Sequence, residues 1–228
     1  MVGLSVMRLV QRSVRGGGFF VLGILGAVGV TQAAPLDVAD VDAVVLKVEA
    51  AQSEATRSEA TRSEATRQLR VADDLFAGET LRTGKGARLH ATLSDGGKLM
   101  LGEDAIIALD SFLLDADEPR GALRVTKGAF RMISGRINKT RGGTLTMVTP
   151  VATIGVRGTD FWGFQTEDSL KMALLDDGEL SITFPTGTVV LTQPMTLVTF
   201  VRGAGIPVIE VLTPEALAGA AATVSLPE

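Results

Sequence analysis

The chain has 228 residues, of which 46% are hydrophobic and 26 are glycine, and this composition fits one mid-sized globular domain with many turns. It contains no cysteine, which excludes disulfides and cysteine nucleophiles. The formal net charge is −4 at pH 7, so the protein is a poor candidate for binding nucleic acid.

The first 33 residues have the layout of a secretory signal peptide. A leader with three arginines precedes the apolar run FFVLGILGAVGV (19–30), and small residues follow it up to Ala33. This run is short for the roughly 30 Å of hydrocarbon in a bilayer. We therefore expect a signal helix that is cleaved after about Ala33, no stable membrane span after cleavage, and a location in the bacterial periplasm. An uncleaved anchor is the alternative.

The stretch 53–67 repeats the word SEATR three times. On a helix, a five-residue step turns the chain by about 140° per copy, so no side chain recurs on one face. Nothing larger than alanine is available to pack against a core. We therefore expect a solvated loop, inserted in a hairpin between strands at 43–48 and 68–71. It is either a tolerated expansion or a tether for a partner.

The residues that flank this loop predict an all-β domain over 38–205. Within ARLHATL (87–93), small or apolar residues alternate with polar ones, and the only histidine, His90, falls on the polar side. Turn signals such as Asp-Gly recur between such segments. We expect a single domain of about a dozen short strands, arranged as a β-solenoid-like stack or a β-sandwich. Residues 206–228 are expected to form a short C-terminal tail, either a short helix or loose chain.

The sequence offers little for catalysis. Nucleophilic catalysis needs a base beside a serine or cysteine, and the chain has one histidine and no GxSxG motif. A lone histidine with no second ligand at metal-binding spacing also argues against a metal site. We predict no enzyme activity, no catalytic residues, no cofactor and no metal.

The candidate site lies in VTPVATIGVRGTDFWGF (148–164), where charged residues separate two apolar runs. An arginine buried there needs acceptors for its donors, and Asp160 is one candidate. Gly158 can let the backbone turn closely or take a positive φ, and the Thr159 hydroxyl can bond to the main chain. Two interpretations stay open. Arg157 is a buried pin that ties the turn to the core, or the group is a pocket for a carboxylate or polar ligand, with Trp162 as its apolar wall.

The stretch TPVATIGVRGTDF resembles the signature of the FecR-type domain. The runs FAGETLRTGKGARLHATLSDGGKLMLGED, LRVTKGAFRMISG and LLDDGELSIT are similar to that family's succession of strands and glycine turns. The resemblance covers about residues 41–203 and leaves out the SEATR repeat. It implies an exported, non-catalytic β module.

The best-known members of that family are periplasmic parts of single-pass regulators, which relay the state of an outer-membrane iron-siderophore receptor to a cytoplasmic sigma factor. Only some eighteen residues precede the apolar run here, and about two dozen follow the β region. We therefore expect a stand-alone sensing or signalling module that binds an envelope protein through strand edges or the face near Arg157. The alternative is a carbohydrate- or cell-wall-binding module whose partner is a polysaccharide, which requires an exposed Trp162 for stacking.

Overall fold

The computed structural model describes residues 36–52 and 66–227, which form an all-β domain with one short α-helix. The predicted signal peptide and most of the SEATR repeat lie outside the described residues. The strands number more than the expected dozen: β1 (Asp37–Val45), β2 (Val48–Gln52), β3 (Arg67–Gln68), β4 (Asp74–Phe76), β5 (Glu79–Thr83), β6 (Arg88–Leu93), β7 (Lys98–Leu101), β8 (Ile106–Leu113), β9 (Arg120–Ile133), β10 (Thr144–Val148), β11 (Thr153–Arg157), β12 (Asp160–Gln165), β13 (Ser169–Leu174), β14 (Glu179–Phe184), β15 (Gly187–Leu191), β16 (Thr196–Val201) and β17 (Val208–Val211). A 3-10 turn (Ile137–Lys139) precedes β10, and helix α1 (Pro214–Ala222) follows β17.

The strands form one continuous, open sheet in two parts. The front half-sheet has the order β4-β1-β6-β7-β9-β12-β13-β16-β17. The back half-sheet has the order β3-β2-β5-β8-β9-β10-β11-β14-β15. Strand β9 belongs to both parts, and its pairing with β10 is parallel, whereas the other pairings are antiparallel.

One hydrophobic cluster contains side chains of both half-sheets. Phe130 and Phe161 meet edge to face in it, with ring centroids 6.5 Å apart, and Leu81 and Ile107 join from the back half-sheet. The alternation predicted for 87–93 is confirmed, because the apolar residues of that stretch are all buried: Ala87, Leu89, Ala91 and Leu93. Strands in which every second side chain is apolar therefore contribute those side chains to the core from both half-sheets.

Strand β9 bends where its neighbours change. Up to Lys127 it pairs with β8, and from Gly128 onwards it pairs with β7 and β12. Gly128 has a φ of 99°, and a Cβ atom at this position would lie 2.4 Å from the Cα of Ala105. A side chain would be excluded on both counts, so the bend requires glycine here.

The hairpin around the repeat is present, with boundaries that differ from the expected ones. The segment 43–48 is not one strand, because Leu46 has a φ of 58° and separates β1 from β2. Strand β3 pairs with β2 and begins at Arg67, the last residue of the third SEATR copy. The expected loop 53–67 therefore ends inside a strand, and its residues 53–65 lie outside the described residues.

Arg67 is a structural residue. Its Nε and Nη2 atoms donate to Glu79 Oε1 and Oε2 at 3.1 and 3.0 Å, and its guanidinium lies 5.7 Å from the centre of the Phe76 ring. The Glu79 side chain is only 5% exposed and also accepts from Phe76 N at 3.0 Å. Arg67 is thus the ionic partner of a buried carboxylate.

The C-terminal segment is ordered and packs on the front half-sheet. Strand β17 extends that half-sheet, and Thr213 caps α1 by accepting from Ala216 N. Trp162 Nε1 donates to Thr223 Oγ1 at 3.0 Å, and His90 Nε2 lies 2.8 Å from the carbonyl oxygen of Val224. The interpretation of this segment as loose chain is wrong. No helix among the described residues has the length and hydrophobicity to cross a membrane.

We predict that Arg67→Ala destabilises the fold by about 2 kcal/mol, because Glu79 would stay buried without its ionic partner. Deleting residues 53–62 removes two SEATR copies, keeps Arg67, and should change the free energy of unfolding by less than about 1 kcal/mol, since shortening a loop alters its closure entropy only slightly. Urea denaturation of both variants measures the difference. A deletion as costly as Arg67→Ala would show that the repeat itself is structural.

Candidate functional site

The candidate site is a turn between β11 and β12. Arg157 ends β11, Gly158 and Thr159 form the turn, and Asp160 and Trp162 lie on β12. The structure thus keeps all five predicted residues together in one short region. Their environments differ, however, from those that the sequence indicated.

Thr159 anchors the turn from below. This threonine is buried, and its backbone N–H donates to Ser134 Oγ at 3.1 Å. The backbone N–H of Ser134 donates in return to Thr159 O at 3.0 Å. The Thr159 hydroxyl lies within hydrogen-bonding distance of two carbonyl oxygens, that of Asp160 at 3.1 Å and that of Asp176 at 2.9 Å. The expected bond from this hydroxyl to the main chain is present.

A second turn, at Asp176 to Gly178, packs tightly against the first. Gly158 has a φ of 54°, as the sequence indicated, and Gly178 has a φ of 138°. A Cβ atom on Gly178 would lie 2.2 Å from the carbonyl oxygen of Gly158. Because the two backbones meet without an intervening side chain, the pair forms a platform with little room to move.

Arg157 is exposed on this platform, so the interpretation as a buried pin is wrong. In β11 the alternation places Ile154 and Val156 in the core and turns Arg157 outward. Its guanidinium makes no hydrogen bond or ion pair with any residue of 36–52 or 66–227, although Glu179 is its cross-strand partner on β14. The side chain is free to contact another molecule.

The guanidinium that binds Asp160 comes from Arg131 on β9. Arg131 Nε donates to Asp160 Oδ1 at 2.9 Å, and Nη2 donates to Oδ2 at 2.6 Å, which is a two-pronged ion pair. These hydrogen bonds raise the pKa of the Arg131 guanidinium. Arg131 is not among the site residues predicted from the sequence. The sequence feature that could have indicated Arg131 is a single cation in the strand AFRMIS, at an outward position between the buried Phe130 and Met132.

Trp162 does not line an open site. It is 7% exposed and belongs to a cluster on the outer face of the front half-sheet, which also contains Ala129, Ala173, Leu212, Ala220 and Val224. Its indole N–H is bound to Thr223. The stacking role that the carbohydrate-binding alternative requires is therefore contradicted, and so is the role of Trp162 as a pocket wall, because the C-terminal segment covers it.

Three exposed carboxylates lie close together at the pairing of β1 with β4. Oxygen atoms of Asp37, Asp40 and Asp74 lie within 4.8 Å of one another. Partial burial raises the pKa of Asp37, and the charge of Asp74 adds to this rise. Carboxylate oxygens could hold a hard cation such as Ca²⁺. Exposed acidic groups of this kind are common without one, and we assign no ion to them.

We predict that Arg131→Ala lowers the free energy of unfolding by about 2 kcal/mol, because Asp160 would lose a two-pronged partner while staying half-buried. Arg157→Ala should change it by less than about 0.5 kcal/mol, as expected for an exposed and unpaired side chain. Thermal and urea denaturation of the two variants provide the comparison. Equal losses would mean that Arg157 has a structural role.

Known proteins share the central part of this chain. Residues 79–181 match the family described as FecR protein. No curated protein matches the chain significantly. Two crystal structures of a "putative anti-sigma factor" from Parabacteroides distasonis ATCC 8503 are similar in fold, with TM-scores of 0.50 and 0.51 and identities of 14% and 15%.

Each of these similarities covers 61% of this chain and 62% of the other one, so the chain spans less than two thirds of the length of those proteins. At such identity the likeness concerns the fold. The family match falls within the range 41–203 over which the sequence motifs resemble the same family, and it includes the turn at Arg157. The predicted resemblance to the FecR family is therefore confirmed over residues 79–181.

Proposed function

We propose that this protein is an exported, non-catalytic binding module of the FecR type, which acts in envelope signalling by contact with another protein. The FecR match over 79–181 carries this proposal. The similarity in fold to a protein named as a putative anti-sigma factor supports a regulatory role. The basic and apolar leader at 1–33 supports export to the periplasm.

The platform of the two turns is the contact surface that the geometry favours. Arg157 presents planar donors from a rigid backbone, and no described carboxylate neutralises it. Arginine is frequent at the energetic centre of protein interfaces because it can bind a carboxylate with two hydrogen bonds. We therefore propose that Arg157 binds an acidic side chain of the partner.

The hydroxyl groups of Ser134 and Thr159, which meet at the turn, support a binding role more than a reaction. Ser134 accepts from Thr159 N and from Asn138 Nδ2, at 3.1 Å each, so its oxygen is committed to the turn. Thr159 is buried under the platform. Neither hydroxyl has a histidine beside it, since His90 contacts the C-terminal segment. A nucleophile with a base at hydrogen-bond distance is the arrangement that an enzyme of this type would need.

We predict that Arg157→Ala abolishes capture of the partner from an envelope extract, while the variant folds normally. The matched control is Arg82→Ala, which removes another exposed arginine of the back half-sheet that has no side-chain bond to a described residue. This control should capture the partner as the unmodified protein does. If Arg157→Ala captured it equally well, the partner would bind elsewhere and the platform would not be the contact surface.

We also predict that the protein expressed in a Gram-negative host appears in the periplasmic fraction and begins at about Ala34, since the leader would be removed after Ala33. The intact mass of the purified protein measures the cleavage site. A membrane-bound protein that keeps residues 1–33 would favour the uncleaved anchor instead.

A further inference from the structure

Among the described residues the open sheet has four edge strands, and only some of them are protected against pairing with another chain. Strands β3 and β4 are edges of two and three residues, and they carry the charges of Arg67 and Asp74. Strand β15 ends the back half-sheet, and β17 ends the front half-sheet. Short length and charge are the usual means by which proteins protect sheet edges. Strand β17 has four residues and a single charge, and strand β15 has five residues and no charge.

Strand β17 (VIEV) is an exposed apolar edge. Val208 is 55% exposed, Ile209 is 54% exposed and Val211 is 80% exposed, and Ile206 just before the strand is 80% exposed. Its one charged residue is Glu210. Aliphatic side chains grouped in this way on an edge are typical of a surface that pairs with a further strand.

The free backbone groups of this edge can be located from the register. Arg202 N donates to Asp168 O. The backbone N–H and C=O groups of the even-numbered residues of β16 therefore point towards β13, and those of the odd-numbered residues point towards β17. The partners of these odd-numbered residues are Val208 and Glu210. Ile209 and Val211 therefore direct their N–H and C=O groups away from the sheet.

We propose that β17 pairs with β17 of a second copy of this chain, antiparallel and about a two-fold axis at Ile209. Each Ile209 N–H then donates to the Ile209 carbonyl oxygen of the other copy. Each Val211 N–H donates to the carbonyl oxygen of Pro207 in the other copy. Proline has no N–H, and in this register its position has to supply only an acceptor. Each outward N–H of one edge thus lies opposite a carbonyl oxygen of the other copy's edge.

The charge of Glu210 excludes one competing two-fold register. A two-fold axis at Glu210 would place two carboxylates directly opposite each other, which is destabilising. The axis at Ile209 places Glu210 opposite Val208 and puts the two Ile209 side chains together. The same patch on both copies is self-complementary, as a closed dimer requires. Pairing joins two front half-sheets into one longer sheet, and the proposal is independent of the partner bound at Arg157.

Sedimentation equilibrium on residues 35–228, which form one compact unit, tests the proposal. We expect the mass to rise from that of one chain towards that of two, with a dissociation constant on the order of 10 to 100 µM, as is typical of a small interface. A single-chain mass at all concentrations up to about 500 µM would overturn the proposal.

Substitutions on two edges locate the interface. Ile209→Lys sets two ammonium groups against each other at the axis and should weaken dimerisation at least ten-fold. The matched control is Val190→Lys on β15, where the valine is 52% exposed, and it should leave the dimer intact. The opposite result would assign the dimer to β15 and refute the proposal.

Val211→Pro removes only an outward N–H, so it should weaken the dimer at least ten-fold while the melting temperature of the single chain stays within a few degrees.

Cross-linking tests the register, because the chain has no cysteine of its own. The axis at Ile209 brings Val208 of one copy and Glu210 of the other to a Cα separation of about 4.5 Å, within the range of a disulfide. An oxidised mixture of Val208→Cys and Glu210→Cys should therefore form a mixed disulfide dimer. Glu210→Cys alone should not, since its two Cα atoms would be about 8 Å apart. Efficient cross-linking of Glu210→Cys with itself would contradict the proposed axis.

Discussion

Strand β9 is the element on which the rest of the domain depends, because its 14 residues belong to both half-sheets. One part pairs with β8 and β10, and the other pairs with β7 and β12. The change takes place at Gly128, whose close approach to Ala105 leaves no space for a side chain. A single backbone bend therefore fixes how the two half-sheets are placed around their common core.

The turn that holds Arg157 is built on the end of the same strand. Arg131 of β9 binds Asp160, and Ser134, just after β9, exchanges hydrogen bonds with Thr159. These contacts hold the backbone of the turn from inside, without any part played by Arg157. A guanidinium that does not stabilise the turn can be presented to solvent on a rigid support. A rigid backbone reduces the entropy that is lost when the turn is ordered in a complex.

Local patterns in the sequence predicted the features that depend on neighbouring residues. The alternation at 87–93 gave the buried face of β6, and Gly158 was correctly expected to take a positive φ. The identity of the arginine that binds Asp160 could not be predicted in this way, because Arg131 lies 29 residues away and meets Asp160 only through the register of β9 with β12. The burial of Trp162 likewise depends on Thr223, 61 residues away.

The C-terminal segment covers one apolar surface and creates another. Helix α1 is rich in alanine, and it closes the outer face around Trp162 because small side chains allow a close approach, with the carbonyl oxygen of Thr223 lying against Gly102. To reach that position the chain first adds β17 to the front half-sheet, and this strand shields the backbone of β16 from solvent. The exposed edge then moves outward by one strand, to Ile209 and Val211. An open sheet cannot remove its last edge by adding strands of its own, so a fold of this kind needs a protected edge or a partner at β17.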